Sequence, residues 1–422
     1  MSRLMIQGGC RLQGAVQVSG RKNSAVAVVP ATIVTGGTSL LENIPEIGDV
    51  EVFAQMLQGI GATIRRRRNS AGGELEICTA GVRPNGITYQ LAKQLRASYY
   101  LLGALLGRFG EAEVPLPGGC DIGLRPIDQH LKGLEALGAE IRLEHGMVRA
   151  QASRLTGATI YLDVVSVGAT INIMLCAVCA EGTTTIENAA KEPHVVDLAN
   201  YLNACGARVQ GAGTDVIRVR GVQQSDLHGA THAIIPDEIE AATFMIAACA
   251  THGDVTVENV IPRHLAPVAA KLEEIGAAVQ TNGDAIRIYT NGARPRAVQI
   301  TTLPYPGFPT DAQQPMTALL AVAEGTSVVT ETIWEGRFKH VLELNRMGSR
   351  IRVDGRSAMI EGVPRLSGAP VHATDLRAAA ALVVAGLAAE GQTEVAGVEH
   401  LDRGYDRAVE KFRSLGAWVR RD

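Results

Sequence analysis

The segment Leu265-Ala-Pro-Val-Ala-Ala-Lys-Leu-Glu-Glu-Ile-Gly-Ala277 has apolar residues at helical spacing and ends in Gly-Ala. A glycine at this point can adopt the left-handed conformation that ends a helix. The same ending, a glycine followed by a small residue, recurs at Gly61, Gly138, Gly206, Gly276, Gly348 and Gly416. Successive glycines in this series are 77, 68, 70, 72 and 68 residues apart. Six units of nearly equal length therefore fill the chain.

A second glycine ends an apolar, alanine-rich run earlier in each unit. It is found at Gly36, Gly110, Gly182, Gly253, Gly325 and Gly391. A short strand follows, and in three units it contains Glu-Asn, at 42–43, 187–188 and 258–259. Each unit is therefore predicted to contain a buried helix, a strand, an amphipathic helix and one or two β-branched strands. Such elements repeated six times predict a layered α/β fold.

The composition is that of an ordinary globular chain with an unusual core. The 422 residues include 40 Lys and Arg against 43 Asp and Glu, a net charge of −3, and 46% are hydrophobic. This balance excludes a protein that coats a polyanion and a disordered tail. There are 46 Gly but only 2 Trp, 8 Tyr and 6 Phe. Small aliphatic side chains must therefore build the core.

The sequence predicts a cytoplasmic protein with free thiols. The longest purely apolar run, residues 378–389, has 12 residues, whereas a membrane-spanning helix needs about 20. The first nine residues do not form a secretory signal. Seven cysteines without such a leader favour free thiols over a disulfide framework. Cys176 and Cys179 lie in an apolar helical run, so we interpret them as packed core thiols instead of metal or redox ligands.

The buried helices begin with polar residues at matching positions. N-capping explains most of them, because Ser, Thr, Asp and Asn are common caps. It does not explain Lys22, Arg96 and Arg377, because a cation at a helix N-terminus opposes the macrodipole. An anion in front of the helix would remove that conflict. We therefore expect several helix starts to face one anionic ligand.

The segment Pro-Leu-Pro-Gly-Gly-Cys-Asp-Ile-Gly-Leu-Arg-Pro at 115–126 predicts an exposed, shaped loop around Cys120. The nearby cation Arg125 is of the kind that lowers the pKa of a thiol. Cys120 is therefore a candidate general acid or nucleophile, and the residues alone leave both roles open. The alternative is that Cys120 is simply a small apolar side chain that packs against its neighbours.

Two further candidate site residues begin or follow regular elements, one a possible base and the other a possible anion-binding cation. In Phe308-Pro309-Thr310-Asp311, the carboxylate is either a helix cap or a partly desolvated base with a raised pKa. In Asp402-Arg403, the guanidinium either binds a carboxylate or phosphate, or pairs with Asp402.

Other signals are weaker. Four consecutive arginines at 65–68 are interpreted as part of a solvated turn, since no aromatic residues interleave and the net charge is negative. No nucleic-acid partner is expected. The ten histidines lack metal-ligand spacing, and the common nucleotide-binding loops are absent from the sequence.

Motifs along the whole chain resemble the enolpyruvyl transferases that act on UDP-N-acetylglucosamine. They are Lys22-Asn23, Leu95-Arg96-Ala97-Ser98, Pro117-Gly118-Gly119-Cys120 with Arg125-Pro126-Ile127-Asp128, Ser166-Val167-Gly168-Ala169-Thr170, Phe308-Pro309-Thr310-Asp311, Ala373-Thr374-Asp375-Leu376-Arg377 and Asp402-Arg403-Gly404-Tyr405. The resemblance implies a two-domain inside-out α/β barrel with six βαβαββ repeats in two pseudo-threefold domains and an active site in the cleft between them. It places residues 1–20 and 234–422 in a discontinuous domain, and residues 21–233 in an inserted domain that carries the Cys120 loop.

The same resemblance implies the reaction and its participants. The enolpyruvyl group of phosphoenolpyruvate would move to the 3-hydroxyl of UDP-N-acetylglucosamine, through a tetrahedral intermediate and with release of phosphate. This is the first committed step of peptidoglycan precursor synthesis, in the cytoplasm. The resemblance implies no metal or organic cofactor and no obligate protein partner, and we expect no membrane association.

Site residues are carried over position by position from the resemblance. Lys22, Arg125 and Arg403 resemble the cationic clamp on phosphoenolpyruvate, and Asp311 resembles the base. Cys120 resembles the loop cysteine that is associated with general-acid and product-release roles and is alkylated by fosfomycin. The remaining substrate-binding set is Asn23, Arg96, Pro126, Ile127, Asp128, Gln129, Val165, Ser166, Val167, Ile333, Arg337, Asp375 and Arg377.

One position departs from the pattern, and two alternatives stay open. Many family members carry Lys where this chain has Val164, so the nucleotide contact is expected to rely more on Arg96 and Arg125. The first alternative is the relative that acts on shikimate 3-phosphate, which the Pro-Gly-Gly-Cys loop disfavours. The second is a catalytically silent paralogue that binds the UDP-sugar, which the presence of all four catalytic candidates disfavours.

Overall fold

The computed structural model describes residues 2–69, 72–116 and 127–422. They form two compact units. The terminal unit comprises residues 2–19 and 236–422, and the inserted unit comprises residues 20–116 and 127–235. Each unit has its own core of buried hydrophobic side chains, so each meets the main requirement of a folded domain.

Helices and strands alternate along the described residues. The helices are α1 Lys22–Thr35, α2 Gly48–Gly59, α3 Tyr89–Ala92, α4 Tyr100–Phe109, α5 Asp128–Ala136, α6 Val167–Ala177, α7 Pro193–Ala204, α8 Glu238–Ala250, α9 Pro262–Glu274, α10 Thr310–Leu320, α11 Val341–Arg346, α12 Leu376–Ala388, α13 Glu399–Asp402 and α14 Ala408–Ser414. The strands are β1 Arg3–Gln7, β2 Gln13–Gln17, β3 Thr38–Ile44, β4 Thr63–Asn69, β5 Gly72–Cys78, β6 Glu111–Pro115, β7 Glu140–Glu144, β8 Met147–Gln151, β9 Thr159–Tyr161, β10 Thr183–Glu187, β11 Arg208–Gln210, β12 Val216–Arg220, β13 Thr231–Ala233, β14 Asp254–Glu258, β15 Ala278–Asn282, β16 Ala285–Tyr289, β17 Gln299–Thr301, β18 Thr326–Thr330, β19 Arg350–Asp354, β20 Ser357–Glu361, β21 Pro370–His372, β22 Gln392–Ala396 and β23 Trp418–Arg421.

The strands form small sheets that repeat one pattern. Within the described residues, five sheets have four strands, and β6, β8 and β7 form a sheet of three. In three of the larger sheets, the strand before a buried helix pairs in parallel with the strand after it, as in β9 with β10, β17 with β18 and β21 with β22. Each parallel pair thus spans a helical crossover, as such pairs require.

The two remaining sheets exchange their first strands. Strand β2 precedes α1 in sequence but pairs in parallel with β14 of the terminal unit. Strand β13 precedes α8 but pairs in parallel with β3 of the inserted unit. Strand β1 completes the sheet of β22 and β23. The first residues of the chain therefore finish sheets whose other strands come from its second half.

Three nearly fully buried helices form the centre of each unit. Helices α1, α4 and α6 contact one another in the inserted unit, and α8, α10 and α12 do so in the terminal unit. Small residues allow close contact, since a Cβ atom on Gly103 of α4 would lie 2.2 Å from the carbonyl oxygen of Asn172 on α6. The abundance of Gly and Ala thus follows from helices that pack closely on all sides.

The repeated glycines have the conformation that their positions predict. The six that end amphipathic helices have φ between 88° and 109°. Five of the second series also have positive φ, and in the fourth unit His252 takes this conformation with φ 51° immediately before Gly253. In that unit a histidine, the residue before the glycine, therefore takes the left-handed position.

The asparagines of the three Glu-Asn pairs share one structural role. Asn43, Asn188 and Asn259 all have positive φ, between 52° and 57°. Each side-chain amide donates to a backbone carbonyl beside the strand that pairs in parallel: Asn43 to Ile234, Asn188 to Leu162 and Asn259 to Val18, at 2.7 to 2.8 Å. Asparagine tolerates this conformation better than most residues and supplies the donor.

The arginine cluster at 65–68 lies in strand β4, so its interpretation as a solvated turn is wrong. Three of the guanidinium groups pair with carboxylates, Arg65 with Glu76, Arg66 with Glu51 and Arg68 with Glu46.

Cys176 is fully buried and Cys179 is half-buried, as core thiols should be, and burial raises the pKa of both. Among the described residues, no helix has the length and apolar character that a membrane crossing needs.

Candidate functional site

Three of the predicted site residues, Cys120, Arg125 and Pro126, lie outside the described residues. The other candidates lie in two groups, one within each unit. In the inserted unit they occupy the first turns of α1, α5 and α6 and the turn before α4. In the terminal unit they occupy the first turns of α10 and α12 and the segments after β18 and β22.

Lys22 begins α1 and has a protein counter-ion. Its Nζ atom lies 2.8 Å from Oδ2 of Asp49, which is buried in the first turn of α2. This carboxylate offsets the charge of Lys22 at the helix N-terminus. A ligand anion is therefore not the sole explanation for a cation at this position. Asp49 was missed in the sequence, although its place in the first turn of the next helix is a usual one for an acid.

A second buried acid holds the same turn of α1. The Ser24 hydroxyl donates to Asp197, whose other oxygen lies 2.9 Å from Nε2 of His232 on β13. Asp197 is 2% exposed and Ser24 is fully buried. The hydrogen bond from Ser24 to Asp197 fixes the turn that carries Lys22 and Asn23.

His130 lies among the predicted UDP-sugar contacts but was missed in the sequence. Its Nδ1 atom lies 2.9 Å from Nδ2 of Asn172. Oδ1 of Asn172 accepts from the Gly103 amide, so Nδ2 is the donor and Nδ1 of His130 accepts. The imidazole is therefore neutral. Burial lowers the pKa of His130 to about 4, and the neighbouring Arg96 acts in the same direction.

A Cβ atom on Gly168 would lie 2.7 Å from Nε2 of His130. This explains why glycine follows Val167 at the start of α6. Ser166 caps the same helix, since its hydroxyl accepts from the Ala169 amide. Ser166 is therefore explained by its role as a helix cap, and Gly168 by the closeness of the His130 imidazole.

Polar contacts surround the position of Val164, whose side chain is 61% exposed. Gln129 donates to the carboxylate of Asp163 at 3.0 Å and accepts from its backbone amide at 2.9 Å. Lys132 Nζ lies 2.8 Å from the same carboxylate. Hydrogen bonds from Lys132 and then Gln129 lower the pKa of Asp163. A cation thus lies near position 164, on α5 instead of on the segment before α6.

Asp311 lies between two buried guanidinium groups in the terminal unit. Its Oδ1 atom is 2.5 Å from Arg337 Nη2, and its Oδ2 atom is 2.9 Å from Arg377 Nη2. The arginine side chains are 4% and 5% exposed, and that of Asp311 is 28% exposed. Two cations favour the ionised carboxylate. The two guanidinium groups were not predicted as partners of Asp311, and its role as a base stays a prediction.

Arg377 is fixed from several sides. Asp375 caps α12 and accepts from the Arg377 amide at 2.9 Å. The guanidinium lies 5.5 Å from the ring centroid of Tyr405, a cation–π contact. Burial alone would lower the pKa of Arg377, but the carboxylate of Asp311 and the phenol of Tyr405 raise it. The cation is therefore held charged beside Asp311.

His340 is a further buried imidazole near this group. Burial lowers its pKa to about 4, while Asp375 acts in the opposite direction and Arg337 adds to the decrease. Its ring stacks on Phe338 at 6.3 Å. Burial and the nearby Arg337 thus keep this imidazole neutral at neutral pH. Its spacing from Arg337 gave no signal in the sequence.

Arg403 follows α13 and is exposed. Asp402, the partner proposed for it on sequence grounds, instead lies 2.6 Å from Arg421 on β23. The interpretation in which Arg403 merely pairs with Asp402 is therefore wrong.

Ile333 lies in the segment after β18 and is half-buried. The described residues contain no group of three or more side chains suited to hold a metal ion.

Comparisons with known proteins cover the whole chain. The profile of the EPSP synthase (3-phosphoshikimate 1-carboxyvinyltransferase) family matches residues 6–412. UDP-N-acetylglucosamine 1-carboxyvinyltransferase 3 of Symbiobacterium thermophilum is 57% identical over 419 residues, which are 99% of this chain and 98% of the relative. UDP-N-acetylglucosamine 1-carboxyvinyltransferase 2 of Bacillus subtilis is 53% identical over 422 residues, 100% of this chain and 97% of the relative.

Solved structures agree with the predicted fold. The enolpyruvyl transferase NikO from Streptomyces tendae has a TM-score of 0.89 at 30% identity, and the match covers 100% of this chain and 99% of that one. EPSP synthase from Acinetobacter baumannii has a TM-score of 0.76 at 20% identity, with full coverage of both chains. The prediction of a two-domain fold with six α/β repeats is thereby confirmed.

Proposed function

We propose that this chain, which belongs to the EPSP synthase family of carboxyvinyltransferases, is an enolpyruvyl transferase that acts on UDP-N-acetylglucosamine. It transfers the enolpyruvyl group of phosphoenolpyruvate to the 3-hydroxyl and releases phosphate. The observation that carries this conclusion is the identity of more than half of all residues, over the full length, with relatives of that name. The product is a peptidoglycan precursor. A place in the cytoplasm and roles in cell shape and division are further parts of the proposal.

The two alternatives have less support. Similarity to EPSP synthase structures is at the level of the fold, at 20% identity. A silent paralogue has no need of a carboxylate held between two buried guanidinium groups, because binding alone does not require an acid at Asp311. The acceptor assay described below separates these possibilities.

Cationic side chains are proposed to bind phosphoenolpyruvate. Lys22, Arg403 and Arg125 would contact its phosphate and carboxylate, because cations fixed in advance stabilise charge that develops on a departing phosphate. Support comes from α1, which has no acid in its first turn. Asp49 holds the Lys22 ammonium in place, and Asp197 holds the turn through Ser24.

The reaction is an addition followed by an elimination. A proton adds to the methylene carbon of phosphoenolpyruvate, and the sugar 3-hydroxyl oxygen adds to the neighbouring carbon as it loses its own proton. The tetrahedral ketal then loses a methyl proton and the bond to phosphate, which restores the double bond. We assign the removal of the hydroxyl proton to Asp311, and general-acid and product-release roles to Cys120.

The two arginines give Asp311 a defined task. Held ionised by Arg337 and Arg377, it is ready to accept a proton at neutral pH. We place Arg337, Asp375 and Arg377 in the substrate-binding set because they orient this carboxylate.

The UDP-sugar is proposed to contact the other candidates. They are Asn23, Arg96, Pro126 to Gln129, Val165 to Val167 and Ile333. The charge of Arg96 acts on the neutral His130, and Lys132 lies close to the position where Val164 lacks a charge. These two residues are therefore the first to test for an effect on nucleotide affinity.

Phosphate release from phosphoenolpyruvate tests the proposal. Release with UDP-N-acetylglucosamine and none with shikimate 3-phosphate is expected. Release with shikimate 3-phosphate alone would establish the first alternative, and binding of the UDP-sugar without release would establish the second.

Fosfomycin tests the loop assignment, and intact-mass analysis should show one adduct that Cys120→Ser abolishes. Cys78 is the matched control, because a hydrogen bond from Thr38 lowers the pKa of its thiol. Among the thiols that the structure describes, it is therefore the one expected to compete with Cys120 for fosfomycin. An adduct that survives in Cys120→Ser and disappears in Cys78→Ser would overturn the assignment.

A further inference from the structure

Glu331 is a fully buried carboxylate with four hydrogen-bond donors. It follows β18 and is 0% exposed. Its Oε1 atom accepts from the Thr302 hydroxyl at 2.9 Å, the Ile333 amide at 2.8 Å and the Trp334 amide at 3.1 Å. Its Oε2 atom accepts from the Thr310 hydroxyl at 2.8 Å. One side chain therefore joins three separate segments of the terminal unit.

All four donors are neutral. Among the residues that the structure describes, no Lys, Arg or His side chain forms an ion pair with Glu331. A buried charge without a counter-ion is costly unless hydrogen bonds satisfy it fully. If one donor is lost, the carboxylate has no alternative partner of opposite charge, so the three segments are held in one arrangement.

The segments that Glu331 joins are those that carry proposed site residues. Thr310 is the first residue of α10 and directly precedes Asp311. Ile333 lies in the segment proposed to contact the sugar, and Arg337, which binds Asp311, follows four residues later. A movement of Glu331 would therefore displace Asp311 from one side and its arginine partner from the other.

We propose that Glu331 is a positioning residue that fixes Asp311 against the sugar-binding segment through Thr310 and the amides of Ile333 and Trp334. The inference rests on the proposed function, since it assumes that Asp311 is the base and that Ile333 contacts the sugar. Glu331 itself is not assigned any contact with substrate. Its effect is on geometry, and small displacements of a base reduce turnover strongly.

Thr310→Val tests one arm of this arrangement with little change of shape. It removes the hydroxyl that binds Oε2 and leaves the other three donors in place. We expect kcat to fall by about tenfold or more, with less than about a threefold change in KM for UDP-N-acetylglucosamine. Thr310→Ser restores the hydroxyl and should recover most of the turnover. A purely structural role would not give this split between kcat and KM.

Trp334 provides a spectroscopic test of the other arm. In a Trp418→Phe background it is the remaining tryptophan, because the chain has two. Its emission should change when UDP-N-acetylglucosamine is added. Glu331→Ala should shift the emission of the free protein and raise KM for the UDP-sugar, since the two amides lose their acceptor. Thr310→Val should leave the free emission unchanged.

Thr330→Val is the matched control. Thr330 directly precedes Glu331 on β18, but its hydroxyl contacts Ser357 at 3.1 Å instead of the proposed site. Its kcat and KM should stay within about twofold of the wild-type values. If Thr310→Val also stays within this range, the positioning role is refuted, even if Glu331→Ala fails to fold.

Failure of the proposed function would look different. In that case the wild-type protein itself would release no phosphate with UDP-N-acetylglucosamine. The Trp334 emission would still report whether Glu331 fixes its segment, and an unchanged emission in Glu331→Ala would refute the positioning role independently.

Discussion

Acidification should destabilise the inserted unit through the imidazole of His130. The ring is 8% exposed and accepts a hydrogen bond from Asn172 at 2.9 Å, so protonation of Nδ1 would place two donors against each other. Burial lowers its pKa from the ordinary value of 6.5 to about 4. A pKa lowered by about 2.5 corresponds to about 3 kcal/mol of folding free energy.

The sign follows from which state binds the proton more readily. Between pH 6.5 and about 4 the unfolded chain is protonated at His130 while the folded protein is not. The stabilisation is therefore fully present above pH 6.5 and is lost as the pH falls through this range. Integration between about pH 7 and about pH 5 gives a loss of about 2 kcal/mol from this side chain.

Urea unfolding at the two pH values measures the loss. His130→Gln keeps an acceptor for Asn172 but does not titrate, so its unfolding free energy should fall by about 2 kcal/mol less than that of the wild-type protein. Carboxylates titrate equally in both proteins and cancel in the difference. His228→Gln, at an exposed histidine, is the control. Equal pH dependence of the wild-type protein and His130→Gln would refute the reasoning.

Further substitutions probe the acids and asparagines that the structure singles out. Asp311→Asn should abolish phosphate release but preserve UDP-sugar binding by calorimetry; it should also lower unfolding stability by about 2–4 kcal/mol, because two buried cations lose their shared partner. Normal turnover would remove its role as base. Asp197→Ala should cost about 3 kcal/mol by leaving buried serine and histidine partners unpaired, and stability within about 0.5 kcal/mol of wild type would contradict this. Replacement of Asn43, Asn188 or Asn259 by Ala should cost about 1–2 kcal/mol each in thermal unfolding; unequal losses would show that the three turns are not equivalent.

The repeats were predictable because they depend on local chemistry. A glycine that ends a helix needs only its own backbone conformation, and all six in the first series have positive φ. The exception at His252 was not predictable, since nothing in the sequence shows which of two adjacent residues takes the left-handed conformation. Similarly, the Glu-Asn pairs marked strands correctly, but the hydrogen bond of Asn43 to Ile234 joins residues distant in sequence.

The missed site residues share one physical reason. Asp49, Asp197 and Glu331 act through partners that tertiary packing brings to them, and each has an unremarkable sequence neighbourhood. The exchange of β2 and β13 between sheets is equally long-range, because strand pairing is not encoded within the strand itself. The resemblance supplied the residues that we propose contact substrate, whereas the structure supplied their buried partners.

Capping by side chains explains the polar residues at the starts of three of the six buried helices. Side chains cap the three helices α6, α8 and α12, through Ser166, Asp237 and Asp375. Helices α1, α4 and α10 have no side-chain cap. The first-turn amides of α1 and α10 are therefore not satisfied by a capping side chain, and such amides favour an anion. Helix α4 instead continues from the 3-10 turn at 96–99, where the Ala97 carbonyl accepts from the Tyr100 amide.

The cations divide in the same way, which refines the hypothesis of a shared anionic ligand. Arg377 lies on a capped helix and already has its anion, the carboxylate of Asp311. Lys22 and Arg96 lie at the two uncapped helix starts of the inserted unit, α1 and the turn into α4. Lys22 also has a protein counter-ion, since its Nζ atom lies 2.8 Å from Asp49. A ligand anion in front of these helices would thus complete two positions where the protein supplies cations and amides without a capping side chain. Substrate binding should accordingly depend on Lys22 and Arg96 through charge, and on Arg377 through the orientation of Asp311.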